Sequence, residues 1–213
     1  MHLRSSRIFL ESAARDFKRT GAIAPSSRPL ADSMTREIVT QYRNPISVLE
    51  VGGGTGCVTK EIARHLGDGD ELDVFEIDRQ FADLIRQRFR DEPGLRDCKV
   101  RIHVHNKPIE RISLRLRYDF VISCLPFTNF EPQAVRRIFE IYRAVLKTGG
   151  ICSFYEYIFV RRAARLVSSK AARERCAGVS SVVREYLSKY CYKHQAVFRN
   201  LPPAMVYHIR FDR

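Results

Sequence analysis

The segment Ile46-Ser-Val-Leu-Glu-Val-Gly-Gly-Gly-Thr-Gly56 is an apolar run that meets an acid, Glu50, and then a glycine turn. Gly52, Gly54 and Gly56 alternate, with Gly53 between the first two, giving acid-x-Gly-x-Gly-x-Gly. Glycine lets a chain turn sharply at a strand end and lets its backbone approach a ligand closely. A dinucleotide fingerprint requires Gly or Ala three residues beyond Gly54, where Cys57 stands, and a P-loop requires Gly-Lys-Ser/Thr, which is absent. The chemistry left is the binding of S-adenosylmethionine. A helix predicted from about Val58 to His65 turns its free N–H groups toward the methionine carboxylate. Glu50 sets a carboxylate near the cofactor's ammonium group, directly or through water. The plain alternative is a glycine-rich turn with no ligand.

Further groups follow at the ends of the next predicted strands. Glu71-Leu-Asp-Val-Phe-Glu-Ile-Asp78 alternates as a strand and closes on acids. Glu76, with Ile77 beside it, lies 24 positions after Gly52 (76 − 52), where a carboxylate can accept both ribose hydroxyl hydrogens. Asp78 reads as the N-cap of a helix over Arg79–Arg90. A third strand, 99–105, leads into Asn106, placed to accept the adenine amino hydrogen or to serve as a turn residue. His103 and His105 share a face of that strand and read as structural.

The acceptor side is read from the fourth and fifth strands. Tyr118-Asp-Phe-Val-Ile-Ser-Cys124 ends in Leu125-Pro126-Phe127, and Pro directly after a strand turns the backbone out of the ladder. Cys124 is expected beside the cofactor, and Leu125, Pro126 and Phe127 form an apolar lip that excludes water around an amine. A helix over Pro132–Leu146 is followed by Lys147-Thr-Gly-Gly150 as cap and turn. Tyr155, Glu156 and Tyr157 then follow strand five as catalytic candidates, to accept a proton or hold an ammonium over a ring. Alternation puts the two tyrosines on one side and Glu156 on the other. Ser26, Ser27 and Arg28 precede a helix near Leu30–Gln41 and suit a substrate phosphate; a capped helix start is the alternative. The reaction they would serve is in-line displacement at a sulfonium methyl by a neutral amine.

Composition bounds the partners. The chain of 213 residues is long enough for one full core with a modest extension. Its six cysteines show no paired or metal-ligand spacing, which points to a reducing compartment and to no metal. No apolar run reaches the roughly 18 residues of a spanning helix, and no signal-peptide core is expected at the N-terminus. A net charge of +13 calls for a polyanionic partner, nucleic acid or anionic lipid. In residues 1–20, Leu3, Leu10, Ala14 and Phe17 fall on one helical stripe, with Arg4, Arg15, Lys18 and Arg19 beside or opposite it. That is the pattern of a helix lying in a membrane interface, or of one docked on its own domain. Arg161, Arg162, Arg165, Lys170, Arg173 and Arg175 extend the positive character.

Phe9-Leu10, Gly21-Ala-Ile-Ala-Pro-Ser-Ser-Arg-Pro-Leu-Ala31, the loop Glu50–Gly56 and the tail Phe198-Arg-Asn-Leu-Pro-Pro-Ala-Met-Val-Tyr207 together resemble the bacterial phospholipid N-methyltransferases, which convert phosphatidylethanolamine to phosphatidylcholine. The glycine loop is common to a whole superfamily; the Pro-Ser-Ser and Asn-Leu-Pro-Pro-Ala segments are more specific. The resemblance implies cofactor binding by Glu50, Gly52, Gly54 and Glu76, an anionic membrane as partner, and an amino lipid, phosphatidylethanolamine or an ornithine lipid, as substrate. The expected location is the cytoplasm, peripherally at the inner face of the membrane, and the expected state in solution is a monomer. Phe75-Glu-Ile-Asp-Arg79 and Leu-Pro-Phe are also similar to rRNA adenine dimethyltransferases. That family carries Asn two residues before the Pro, where this chain has Cys124, and adds a C-terminal RNA-binding domain. The expected fold is α/β: a Rossmann-like sheet, parallel but for one antiparallel C-terminal strand, with helices on both faces. Residues 1–45 are assigned to membrane-surface and substrate-capping helices, and 46–213 to the catalytic domain.

Overall fold

The computed structural model describes residues 26–41, 45–96, 99–158 and 169–211. Seven strands form one sheet: β1 (Ser47–Val51), β2 (Glu71–Phe75), β3 (Arg101–His105), β4 (Tyr118–Ser123), β5 (Leu146–Tyr157), β6 (Cys191–Val197) and β7 (Ala204–Arg210). Their order is β3-β2-β1-β4-β5-β7-β6. The pairs from β3 through β5 are parallel, and β7 runs antiparallel between β5 and β6. The expected fold is therefore present, its single reversed strand lying inside the C-terminal half. The chain reverses its winding between β1 and β4, and the crevice outside their carboxyl ends is where such sheets bind ligands.

Among the described residues six α-helices cover the sheet: α1 (Arg28–Gln41), α2 (Cys57–His65), α3 (Arg79–Asp91), the single turn α4 (Pro93–Arg96), α5 (Pro132–Val145) and α6 (Lys170–Tyr190). Period-two alternation divides the strand residues between two cores. Leu49, Val51, Val121 and Phe154 pack with Phe139 and Tyr142 of α5 and Val183 of α6. Val48, Val74 and Ile122 pack on the other face with Leu30, Met34 and Ile38 of α1, Ile62 of α2 and Ile85 of α3. Each fully buried side chain of this size contributes about 1.5–3 kcal/mol by leaving water. α1 supplies four residues, Leu30, Ala31, Met34 and Ile38, to the second core and so packs directly on the sheet.

Asp78 caps α3 as predicted, its carboxylate accepting from the N–H groups of Gln80 (2.8 Å) and Phe81 (3.4 Å). The cap and turn expected at Lys147–Gly150 is instead a bulge within β5: α5 passes directly into the strand at Leu146, and the register against β4 shifts between Tyr118 and Phe120. Gly149, at φ +75°, lets the extra residues loop out, and Lys147 ties them to Asp119 at 2.7 Å. His105 has the structural role assigned to it, stacked on Phe75 with Asp73 as its polar partner. The amphipathic segment 1–20 and Arg161, Arg162 and Arg165 lie outside the described residues.

Candidate active site

β1 delivers Glu50 to the face it shares with Val48, beneath α2 and α3, and then breaks into the glycine loop. Gly52, Gly54 and Gly56 all have left-handed backbones, at φ +82°, +52° and +81°, where a side chain would be strained. A Cβ at Gly53 would come within 2.7 Å of Ile85 and 2.8 Å of Val74, so this position is closed by packing. A Cβ at Gly54 would meet nothing within 4 Å: its missing side chain leaves open space above the loop. Gly56 caps α2 without any side-chain hydrogen bond, so the first-turn N–H groups face that same end of the sheet without a side-chain cap.

Glu50 is fully buried, and neither carboxylate oxygen has a hydrogen-bond partner. Burial pushes its pKa up to about 8; the nearby Thr59 hydroxyl offsets a little of that and the Glu76 charge adds to it. An orphaned buried carboxylate is costly unless a cation or donor arrives to meet it. This is the fit expected for the ammonium group of S-adenosylmethionine.

Glu76 organises the neighbouring turns. One oxygen accepts from the Gly54 N–H and the other from the Asp78 N–H, both at 2.8 Å. Burial raises its pKa, and those hydrogen bonds oppose the rise. The Asn106 side-chain amide donates to the carbonyls of Glu76 (3.0 Å) and Ile77 (2.9 Å). Its two donors are thereby spent, and Oδ1 is the atom that can accept an adenine amino hydrogen. The loops after β1, β2 and β3 are thus stitched together through four of the predicted cofactor residues, Gly54, Glu76, Ile77 and Asn106.

On the acceptor side the structure separates residues that adjoin in sequence. Phe127 turns inward, 3 % exposed and packed against Phe139 and Phe154 at centroid distances of 5.2 and 5.7 Å. It anchors the loop after β4 in the core and is not part of an exposed lip. Leu125 and Pro126 remain half-buried, with Leu125 over Gly52. Cys124 is close enough to Glu50, Glu76 and Cys57 for their charges to add to burial in raising its thiol pKa.

Tyr155 and Tyr157 come together, rings edge to face at 5.3 Å, and the Tyr155 hydroxyl hydrogen-bonds with those of Tyr157 and Ser26. Burial raises both phenol pKa values. They are therefore neutral groups at pH 7, able to orient an amine through oxygen or ring rather than to act as phenolate bases. Glu156 faces the other side of β5, away from this group, as alternation requires.

Ser27 starts α1 as expected: its carbonyl accepts from Leu30 and Ala31, both at 3.0 Å. Its own N–H donates to Oδ1 of Asn200 at 3.0 Å. Asn200 is 4 % exposed and also donates to the Pro202 carbonyl. Ser27 and the Asn-Leu-Pro-Pro-Ala segment, far apart in sequence, thus meet beside the candidate site. Arg28 is exposed at the same place. Two contributors lay beyond sequence reasoning. Thr59 beside Glu50 carries no local signal, whereas Asn200 was marked by its Asn-Leu-Pro-Pro-Ala context but not by a role.

Residues 48–150 match a family described as methyltransferase domain. The ornithine lipid N-methyltransferase of Singulisphaera acidiphila is 29 % identical over 143 residues, covering 67 % of this chain and 73 % of its own. A spermidine synthase from Coffea arabica is 40 % identical over 122 residues, 55 % of this chain but only 38 % of its own length. The fold is similar to that of an O-methyltransferase from Bacillus cereus in complex with SAH, at a TM-score of 0.64 and 15 % identity over 95 % of this chain and 90 % of that one. With a glycine loop over open space, an orphaned acid beneath it and a methyltransferase domain across residues 48–150, the chain is an S-adenosylmethionine-dependent methyltransferase.

Proposed function

We propose that this methyltransferase acts on the amino group of a lipid, an ornithine lipid or phosphatidylethanolamine, at an anionic membrane surface. The observation that carries this reading is the likeness to an ornithine lipid N-methyltransferase over two thirds of the chain. The grouping of neutral Ser26, Tyr155 and Tyr157 hydroxyls supports it, since such groups can orient an uncharged amine.

When bound, S-adenosylmethionine would supply an electrophilic methyl group to the amine lone pair, with S-adenosylhomocysteine as the leaving group. Glu50 holds the ammonium of the cofactor's amino-acid end, and the first turn of α2 holds its carboxylate. Glu76 and Asn106 Oδ1 serve the ribose and the adenine. Leu125 and Pro126 keep water from the reacting atoms, and Tyr155 and Tyr157 orient the amine toward the methyl group. Holding the reactants in line in a dry site provides most of the acceleration. The amine gives up a proton to water before the first attack, and the methylated ammonium must lose another before any further transfer. Residues 1–20 and Arg28 serve the membrane and the lipid phosphate, with the protein a monomer at the cytoplasmic face. Among the described residues no helix is long and apolar enough to cross a membrane.

The test is transfer of labelled methyl groups to vesicles of phosphatidylglycerol mixed with phosphatidylethanolamine or an ornithine lipid, with RNA in parallel. Label in the lipid fraction, dependent on the anionic lipid, is the expected result and identifies the head group. Label in RNA alone overturns the reading.

A further inference from the structure

The turn between β6 and β7 is Phe198-Arg-Asn-Leu-Pro-Pro203. Its two large apolar side chains stand in water: Phe198 is 71 % and Leu201 82 % exposed, more than any other large hydrophobic residue among those described. The backbone beneath them is anchored. Asn200 is buried between them and binds the Ser27 N–H, and the Ile158 N–H donates to the Pro203 carbonyl at 2.9 Å. An exposed apolar pair on a fixed tip differs from the scattered surface hydrophobics that need no explanation.

Position and charge say what the tip meets. β6 runs in the same direction as β5, with the antiparallel β7 between them, so the tip lies at the carboxyl end of the sheet with the glycine loop and Ser26. Arg199 in the turn, Arg28 at the start of α1, and Lys170 and Arg173 in the first turn of α6 are exposed at that same end. Leu114 and Leu116, also exposed, lie at the other end, ahead of β4. An apolar tip rimmed by cations matches the boundary between acyl chains and anionic head groups.

We propose that the 198–203 turn inserts into an anionic bilayer, with Phe198 and Leu201 in the acyl boundary and Arg199 and Arg28 on lipid phosphates. The insertion holds the cofactor end of the sheet against the membrane. For its purpose this rests on the amino-lipid reading, but it is tested separately. The chain contains no tryptophan, so Phe198→Trp introduces a single indole reporter. With vesicles of phosphatidylcholine and phosphatidylglycerol, its emission shifts to the blue and is quenched by brominated acyl chains. Phe198→Asp with Leu201→Asp lowers vesicle partition about tenfold or more, since it removes the apolar insertion and adds like charge to the surface. Leu114→Asp with Leu116→Asp leaves partition unchanged. An indole that stays in water while the protein sediments with vesicles overturns the proposal, as does a response to RNA without one to vesicles. Insertion without methyl label in lipid would overturn the substrate reading and leave the inserting turn standing; label in lipid without insertion would do the reverse.

Discussion

Two buried glutamates, one at each side of the second core, show how differently the molecule treats the same group. Glu37 in α1 is 2 % exposed and fully served. It accepts from Lys193 Nζ at 2.6 Å, from the Tyr192 hydroxyl at 2.7 Å and from Gln41 Nε2 at 2.7 Å. Burial alone would raise its pKa, but those partners outweigh it and the net shift is downward. Glu50 in β1 is 0 % exposed, has only the Thr59 hydroxyl to oppose its burial, and is pushed up to about 8. The first carboxylate closes α1 onto the C-terminal hairpin and serves the fold. The second has no such set of partners in the fold, which is why it is the carboxylate proposed to meet the cofactor's ammonium group.

Glu50→Gln tests that contrast with the largest effect. Cofactor affinity should fall about a hundredfold or more, measured by calorimetric titration, because a charge-assisted contact is lost. Stability should move the other way. An acid whose folded pKa is raised costs nothing while protonated in both states. In the cofactor-free protein its penalty grows as pH rises from about 4.5 to about 8, to at most about 5 kcal/mol. The variant should therefore melt higher than wild type at pH 8 and equally at pH 4.5. Equal melting at both pH values would mean that Glu50 already has a partner. On the acid side the buried His208, held down to about 4, has the opposite sign: its contribution is present above 6.5 and lost as pH falls toward 4. Glu50→Gln should leave that acid limb untouched.

Lys193→Met probes the other glutamate. It removes the strongest partner of Glu37, and chemical denaturation should show a loss of about 2 kcal/mol with no change in cofactor affinity. A weakened cofactor site in that variant would break the division between the two glutamates. Tyr155→Phe removes a hydroxyl from the acceptor wall, and kcat should drop about tenfold with cofactor binding unaltered. The smallest effects sharpen the picture within the glycine loop. Gly54→Ala points a methyl group into open space from a left-handed backbone, and should weaken cofactor binding about tenfold at a stability cost of about 1 kcal/mol. Gly53→Ala meets Ile85 and Val74 and should register in the melting temperature first.

The cofactor half of the site was legible because it is local. Glu50 and the three alternating glycines lie within seven residues, Glu76 and Asp78 end the next strand, and each role follows from strand alternation and helix capping. The acceptor half was legible only in its ingredients. Tyr155, Glu156 and Tyr157 adjoin in sequence, and alternation divided them correctly between faces. Nothing local could tell that Phe127 would turn into the core against Phe139 and Phe154 while Leu125 and Pro126 stayed half-buried. The bulge at Lys147–Gly150 was read as a turn, because a left-handed glycine serves both and only pairing with β4 distinguishes them.

By itself the sequence determined the sheet, its helices and the kind of cofactor, since periodicity, capping and a glycine loop act over a few residues. Tertiary structure alone decided which buried acid was left unsatisfied, because Glu37 and Glu50 differ only in what long-range packing brings to them. It also decided that Ser27 and Asn200, 173 positions apart, join beside the candidate site and leave Phe198 and Leu201 standing in water.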